Sequence, residues 1–143
     1  MIQDPPALQE TAGLPEAVPG SRLTVVVGYV VALLLGVLFG VLGTVVHQSS
    51  FSVFGLFDLP IGLVVALSAL AVLLTGLRLI HPTRLPAFLA AVGAIGMVTL
   101  FALPSPGGSV LIPAGVPGMV WLVGSSLVAV VVIAWPGSPR PKP

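Results

Sequence analysis

The chain has 143 residues, of which 57% are hydrophobic and only 6% charged, with a net charge of +1. A soluble domain carries about 25% charged residues to cover its surface, so this composition excludes that class and indicates an integral membrane protein. The sequence has no Cys, which excludes disulfides, thiolate metal sites and cysteine nucleophiles, and its net charge is too small to hold nucleic acid.

Residues 1–21 form a polar segment with Pro5, Pro6, Pro15 and Pro19 and no apolar period. This composition predicts a disordered tail. Its acids Asp4, Glu10 and Glu16 are unlike the basic start of a signal peptide. Leu23 to Val46 follows as 24 uncharged residues. At about 1.5 Å per residue it reaches about 36 Å, enough to cross a hydrocarbon core of about 30 Å. Along it runs a ridge of small residues four apart: Gly28, Ala32, Gly36, Gly40 and Thr44. Residues at i and i+4 share a helix face, and small ones let another helix backbone come close. The ridge therefore serves packing, either within the chain or against a second copy.

Residues 47–58 connect the first span to the second. Phe51, Phe54 and Phe57 recur every third residue there, which suits a segment lying at the membrane interface. Asp58 ahead of Pro60 reads as an N-cap followed by a first-turn proline, so a second span is expected at about 59–77. Arg78, His81 and Pro82 close it. A third span is expected at about 85–103, with Pro86 in its first turn and Pro104 after its end. The loop 104–115 is uncharged and broken by Gly107-Gly108 and Pro113. A fourth span is expected at about 116–135, bounded by Pro117 and Pro136, with a short basic tail at 137–143. Every Pro from position 60 onward falls at a helix end or in a loop, where helices tolerate it. Leu59-Pro60-Ile-Gly62 and Val116-Pro117-Gly118 echo each other. A duplication would explain that, and so would the common use of Pro to begin a helix.

The expected architecture is thus an all-α membrane protein: a tail at 1–21, a four-helix transmembrane domain at 22–136 and a tail at 137–143. All five basic residues, Arg22, Arg78, Arg84, Arg140 and Lys142, fall on one side of it. The positive-inside rule then puts both termini and the 78–84 turn in the cytoplasm.

Chemistry is sparse. Ion-coupled transport needs an ionisable group within the membrane, and none falls inside an expected span. A small multidrug exporter of four helices depends on a membrane carboxylate, which is missing. His47 and His81 lie at opposite faces and cannot share a metal; His47 with Asp58 would be a poor pair of ligands. Ser68, Ser125 and Ser126 have no base beside them and are expected to bond across helices. Arg78, His81 and Arg84 are the candidate contact for anionic lipid head groups or a partner's acidic surface, although topology alone would explain them. No catalytic residue, cofactor or metal is expected.

Three short stretches, Gly76-Leu-Arg78, Gly107-Gly108-Ser-Val-Leu-Ile-Pro113 and Trp121-Leu-Val-Gly124, resemble those of small actinobacterial four-helix membrane proteins of unknown function. The resemblance covers roughly residues 55–135. It implies four spans and a plasma-membrane location, and it carries no activity.

The expected role is a non-enzymatic structural or accessory partner in a membrane assembly, with the bilayer and other membrane proteins, or a second copy through the first-span ridge, as partners. The alternative is a small oligomeric transporter or channel for an uncharged or lipid-like substrate, built from Ser68, Ser125, Ser126 and the glycine faces. The orientation has a direct test. A topology reporter fused after Lys142 should read as cytoplasmic and one inserted at Ser50 as external; the opposite pattern reverses the assignment.

Overall fold

The computed structural model describes residues 22–53, 57–103 and 115–136, with the backbone alone for 51–53 and 57–59. The expected tails, Phe54 and most of the 104–115 loop lie outside these residues. There are four helices, α1 (Arg22–Val46), α2 (Ile61–Ile80), α3 (Leu85–Ala102) and α4 (Val116–Ala134), and an antiparallel strand pair between α1 and α2, β1 (Phe51–Val53) and β2 (Phe57–Leu59). All four helices are long and apolar enough to cross a membrane.

The helix ends follow from local chemistry. Pro86 and Pro117 sit in the first turns of α3 and α4, where the missing N–H has no helical partner to lose. α2 stops at Ile80 because His81, ahead of Pro82, takes an extended conformation with φ −95° and ψ 143°. The helix therefore keeps Arg78 in its last turn, three residues beyond the expected close.

The connection after α1 differs from its expectation. Asp58 is not an N-cap: its backbone pairs with Ser52 in the strand ladder, where Phe51 faces Leu59 and Val53 faces Phe57. That ladder holds 57–59 extended, so α2 begins later, with Pro60 at its N-cap and no side-chain cap. Backbone bonds replace the cap, from Gly62 N–H to the Ser49 carbonyl and from Ser49 N–H to the Val46 carbonyl, both 2.9 Å. They tie the start of α2 to the end of α1.

The closest packing is between α1 and α3. A Cβ at Gly36 would fall on the carbonyl of Ala90, and one at Gly40 would come within 2.6 Å of the Ala94 carbonyl oxygen. Reciprocally, a Cβ at Gly93 would stand 2.5 Å from the Leu33 oxygen and 2.9 Å from the Val37 nitrogen. The two backbones are thus in contact, with no room for side chains between them. Numbers rise together along this seam, so α1 and α3 run parallel. α2 and α4 are parallel as well: Leu67 lies against Gly124 near their middles, and Arg78 meets Val132 to Trp135 near their ends.

α3 contributes small residues on several faces, with Ala87, Ala90, Ala91, Gly93 and Ala94 all buried. Toward one end, Leu70 and Leu74 of α2 pack on Ala90, Ala91, Ala94 and Ala129. Toward the other, Leu63, Ala66 and Val98 close around Trp121. The opposite face of α1, with Leu34, Leu38 and Leu42, is exposed, as expected for a surface that meets acyl chains.

Of the α1 ridge, Ala32, Gly36, Gly40 and Thr44 are buried. A Cβ at Gly28 would have nothing within 4 Å. Gly36→Ala should therefore force α1 from α3 and destabilise the bundle by about 1–3 kcal/mol, the usual cost of overpacking, whereas Gly28→Ala should be tolerated. Thermal unfolding of the detergent-solubilised variants reads the difference, and equal stabilities would show that the seam is looser than described.

Candidate functional site

Two polar clusters occupy opposite ends of the bundle. The first gathers residues from α1 and α4 beside the strand pair. Thr44 donates its hydroxyl back to the Gly40 carbonyl at 2.7 Å, and its oxygen accepts the indole N–H of Trp121 at 3.2 Å. The ring edge of Trp121 fills the space over Gly43 that a side chain there would occupy. His47 stacks on the same indole, with ring centroids 6.0 Å apart and planes 15° from parallel.

His47 is packed within the bundle rather than set out on the connection after α1. It is 1% exposed. Its backbone continues the helical bonding of α1, donating to the Gly43 carbonyl at 2.8 Å. Its Nδ1 lies 2.6 Å from the Thr44 carbonyl. A carbonyl only accepts, so Nδ1 is the donor in this contact. Nε2 is buried with no hydrogen-bond partner. The sequence held a signal for this placement. Gly36, Gly40, Gly43 and His47 continue one helix face in steps of three and four, so the ridge extends one turn beyond Thr44.

The second cluster joins the α2–α3 turn to α4. Arg78 donates through Nη1 to the carbonyls of Val132, Ile133 (3.1 Å) and Trp135 (2.8 Å). Arg84 donates through Nη1 to the same Ile133 carbonyl at 3.1 Å. These carbonyls belong to the end of α4, where the last four have no helical partner and carry partial negative charge. The two arginines thus act as a side-chain cap on a distant helix, and Arg78 is half-buried in that role while Arg84 remains exposed. His81 is half-buried at the end of α2.

The serines do not form one site. Ser68 is exposed on the outside of α2, while Ser125 is fully buried. Ser125 and Ser126 both donate to the Leu122 carbonyl of their own helix, at 3.2 and 3.1 Å, rather than across to a neighbour as expected. A hydroxyl one turn along a helix finds that carbonyl without help from packing. His47 and His81 lie at opposite ends, and among the described residues no three of His, Cys, Asp and Glu come together. A shallow groove of about 200 Å³ at the start of α2 is lined by Pro60, Ile61, Val64 and Val65 and offers no polar group.

A model for a family of unknown function, DUF6113, matches residues 11–142. The chain belongs to this family. No curated protein and no solved structure matches it. Membership supplies no activity, and it extends well past the 55–135 stretch that carries the sequence resemblance.

The Thr44–Trp121 bond is a polar link between α1 and α4. Thr44→Val leaves the indole N–H buried without an acceptor, which should cost about 1–3 kcal/mol. Ser126→Ala should cost little, because its bond is local. Unfolding of both variants in one detergent, followed by Trp fluorescence, tests the ordering; a Thr44→Val protein as stable as wild type would remove Thr44 from the set of packing residues.

Proposed function

We propose that this chain is a non-enzymatic structural or accessory subunit of a larger membrane assembly, lying in the plasma membrane with both termini cytoplasmic. The observation that carries the reading is how its polar groups are used. Thr44 and Trp121 hold α1 to α4, and Arg78 and Arg84 hold the α2–α3 turn to the end of α4. Ser125 and Ser126 turn back on their own helix. Side chains engaged in this way support a scaffold. The placement of all five basic residues on one side supports the orientation.

The partner is a membrane protein met through the lipid-facing surface. The α1 ridge from Ala32 to Thr44 is occupied by the chain's own packing, so a second copy would not use that stretch. Three glycines with open surroundings, Gly28, Gly76 and Gly96, are places where another helix can approach closely.

Affinity purification of the tagged protein in mild detergent tests the proposal. A stoichiometric membrane-protein companion, reduced by Gly28→Leu or Gly96→Leu, is the expected result. A lone monomer across several mild detergents would remove the accessory role.

A further inference from the structure

We infer that the turn between α2 and α3 binds the phosphate of an anionic phospholipid, with Arg84 as its anchor. The inference rests on the membrane reading above but not on the orientation. The structure separates two arginines that the sequence presents as equivalent. Arg78 is held against the carbonyls of Val132 and Ile133 in α4 and of Trp135 just after it, and is half-buried. Among the described residues Arg84 makes one hydrogen bond, from Nη1 to Ile133, and it is exposed. That contact fixes the side chain while leaving Nη2 and Nε without a described partner. A guanidinium held by one N–H presents the rest of its fork to a phosphate without the full entropy of immobilising a free side chain.

The surroundings select an amphiphile. Leu79 and Ile80, in the last turn of α2, are each 77% exposed and give acyl chains a surface beside the head group. Trp135, whose carbonyl Arg78 holds, is 66% exposed at the same level, as aromatic residues are at a membrane interface. Thr83 is exposed and His81 half-exposed beside Arg84, adding donors for a phosphate oxygen. The same surroundings favour an anionic head group over a zwitterionic one. Asp58 is the sole carboxylate among the described residues, and it lies on β2 at the opposite end. No described acid at the arginine end can pair with a choline or ethanolamine ammonium.

Thermal unfolding of the detergent-purified full chain tests this with three additions: phosphatidylglycerol, phosphatidylcholine and inorganic phosphate. Phosphatidylglycerol at about ten times its Kd should raise Tm by roughly 3–6 °C. Phosphatidylcholine and inorganic phosphate should give little or no shift. Arg84→Gln should abolish the phosphatidylglycerol shift and Arg22→Gln should retain it, with each variant's Tm without added lipid reporting its fold. Should Arg84→Gln not fold, Thr83→Glu replaces it, adding a repelling carboxylate while sparing the bond to Ile133; loss of the shift is then the supporting result. Equal shifts from both lipids, a shift from inorganic phosphate alone, or a shift that survives Arg84→Gln or Thr83→Glu would overturn the assignment. Whether the chain is released from cell membranes only by detergent tests the membrane reading separately.

Discussion

The contact on which the arrangement depends is backbone against backbone, where Gly36 and Gly40 of α1 meet Ala90 and Ala94 of α3. In lipid, acyl chains solvate an apolar helix as well as another helix does, so apolar character alone does not bring helices together. Dispersion between closely packed atoms is what remains, and it falls steeply with distance. Removing the side chains from one face of α1 brings the two backbones within contact range. Gly93 makes the fit reciprocal by opening α3 to Leu33 and Val37. The observed order, Gly36 on Ala90 and Gly40 on Ala94, is that of parallel helices.

Parallel pairing has an electrostatic consequence. If α1 and α3 point one way, α2 and α4 point the other, and the C-termini of α2 and α4 lie side by side. Each end carries unpaired carbonyls and roughly half a negative charge. Arg78 sits in the last turn of α2 and reaches the last carbonyls of α4, so one cation neutralises both ends. This gives Arg78 a reason for its position that positive-inside sorting alone does not. It also explains why α2 runs past its expected close at Leu77: stopping there would leave Arg78 in a loop and lose the side-chain direction that reaches α4. At the other end, where α1 finishes and α4 begins, Thr44, Trp121 and His47 make the link with hydrogen bonds and ring stacking rather than charge.

The number of helices was legible in the sequence because length and apolar composition suffice for it, and every Pro that bounds α2, α3 and α4 acts through φ restriction and a missing N–H. The small residues from Ala32 to Thr44 were legible as a packing face, since i and i+4 spacing is a property of one helix. What the spacing did not contain was which helix lies opposite. That depends on α3 presenting Ala90, Gly93 and Ala94 in matching register, a relation between segments more than fifty residues apart. The roles of Asp58 and His47 were hidden for a related reason. Asp58 had a good reading as an N-cap, but the pairing of its strand with residues 51–53 claims its backbone. His47 looked like a polar residue beyond a span until Trp121, from the fourth helix, covered it. Arg78 and Arg84 were visible as a pair, and only the position of α4 distinguishes the one held against carbonyls from the one left open.

The packing also bears on the echo between the starts of α2 and α4. A duplicated pair of helical hairpins related by a two-fold axis would match α1 with α3 and α2 with α4, and the parallel pairs fit that description. The same axis would make the α2–α3 contact equivalent to an α4–α1 contact. These differ. α2 and α3 share both apolar clusters, with Leu70 and Leu74 against Ala90, Ala91 and Ala94, and Leu63 and Ala66 against Val98. α4 reaches α1 through Trp121, whose ring rests on Gly43 and Thr44. α2 and α3 therefore form the short diagonal of the bundle and α1 and α4 the long one. That rhombic arrangement is what places α3 at the centre and requires small residues on more than one of its faces. Shared use of Pro in the first turn is then sufficient to account for the echo, since each helix needs a start and neither start needs a common origin.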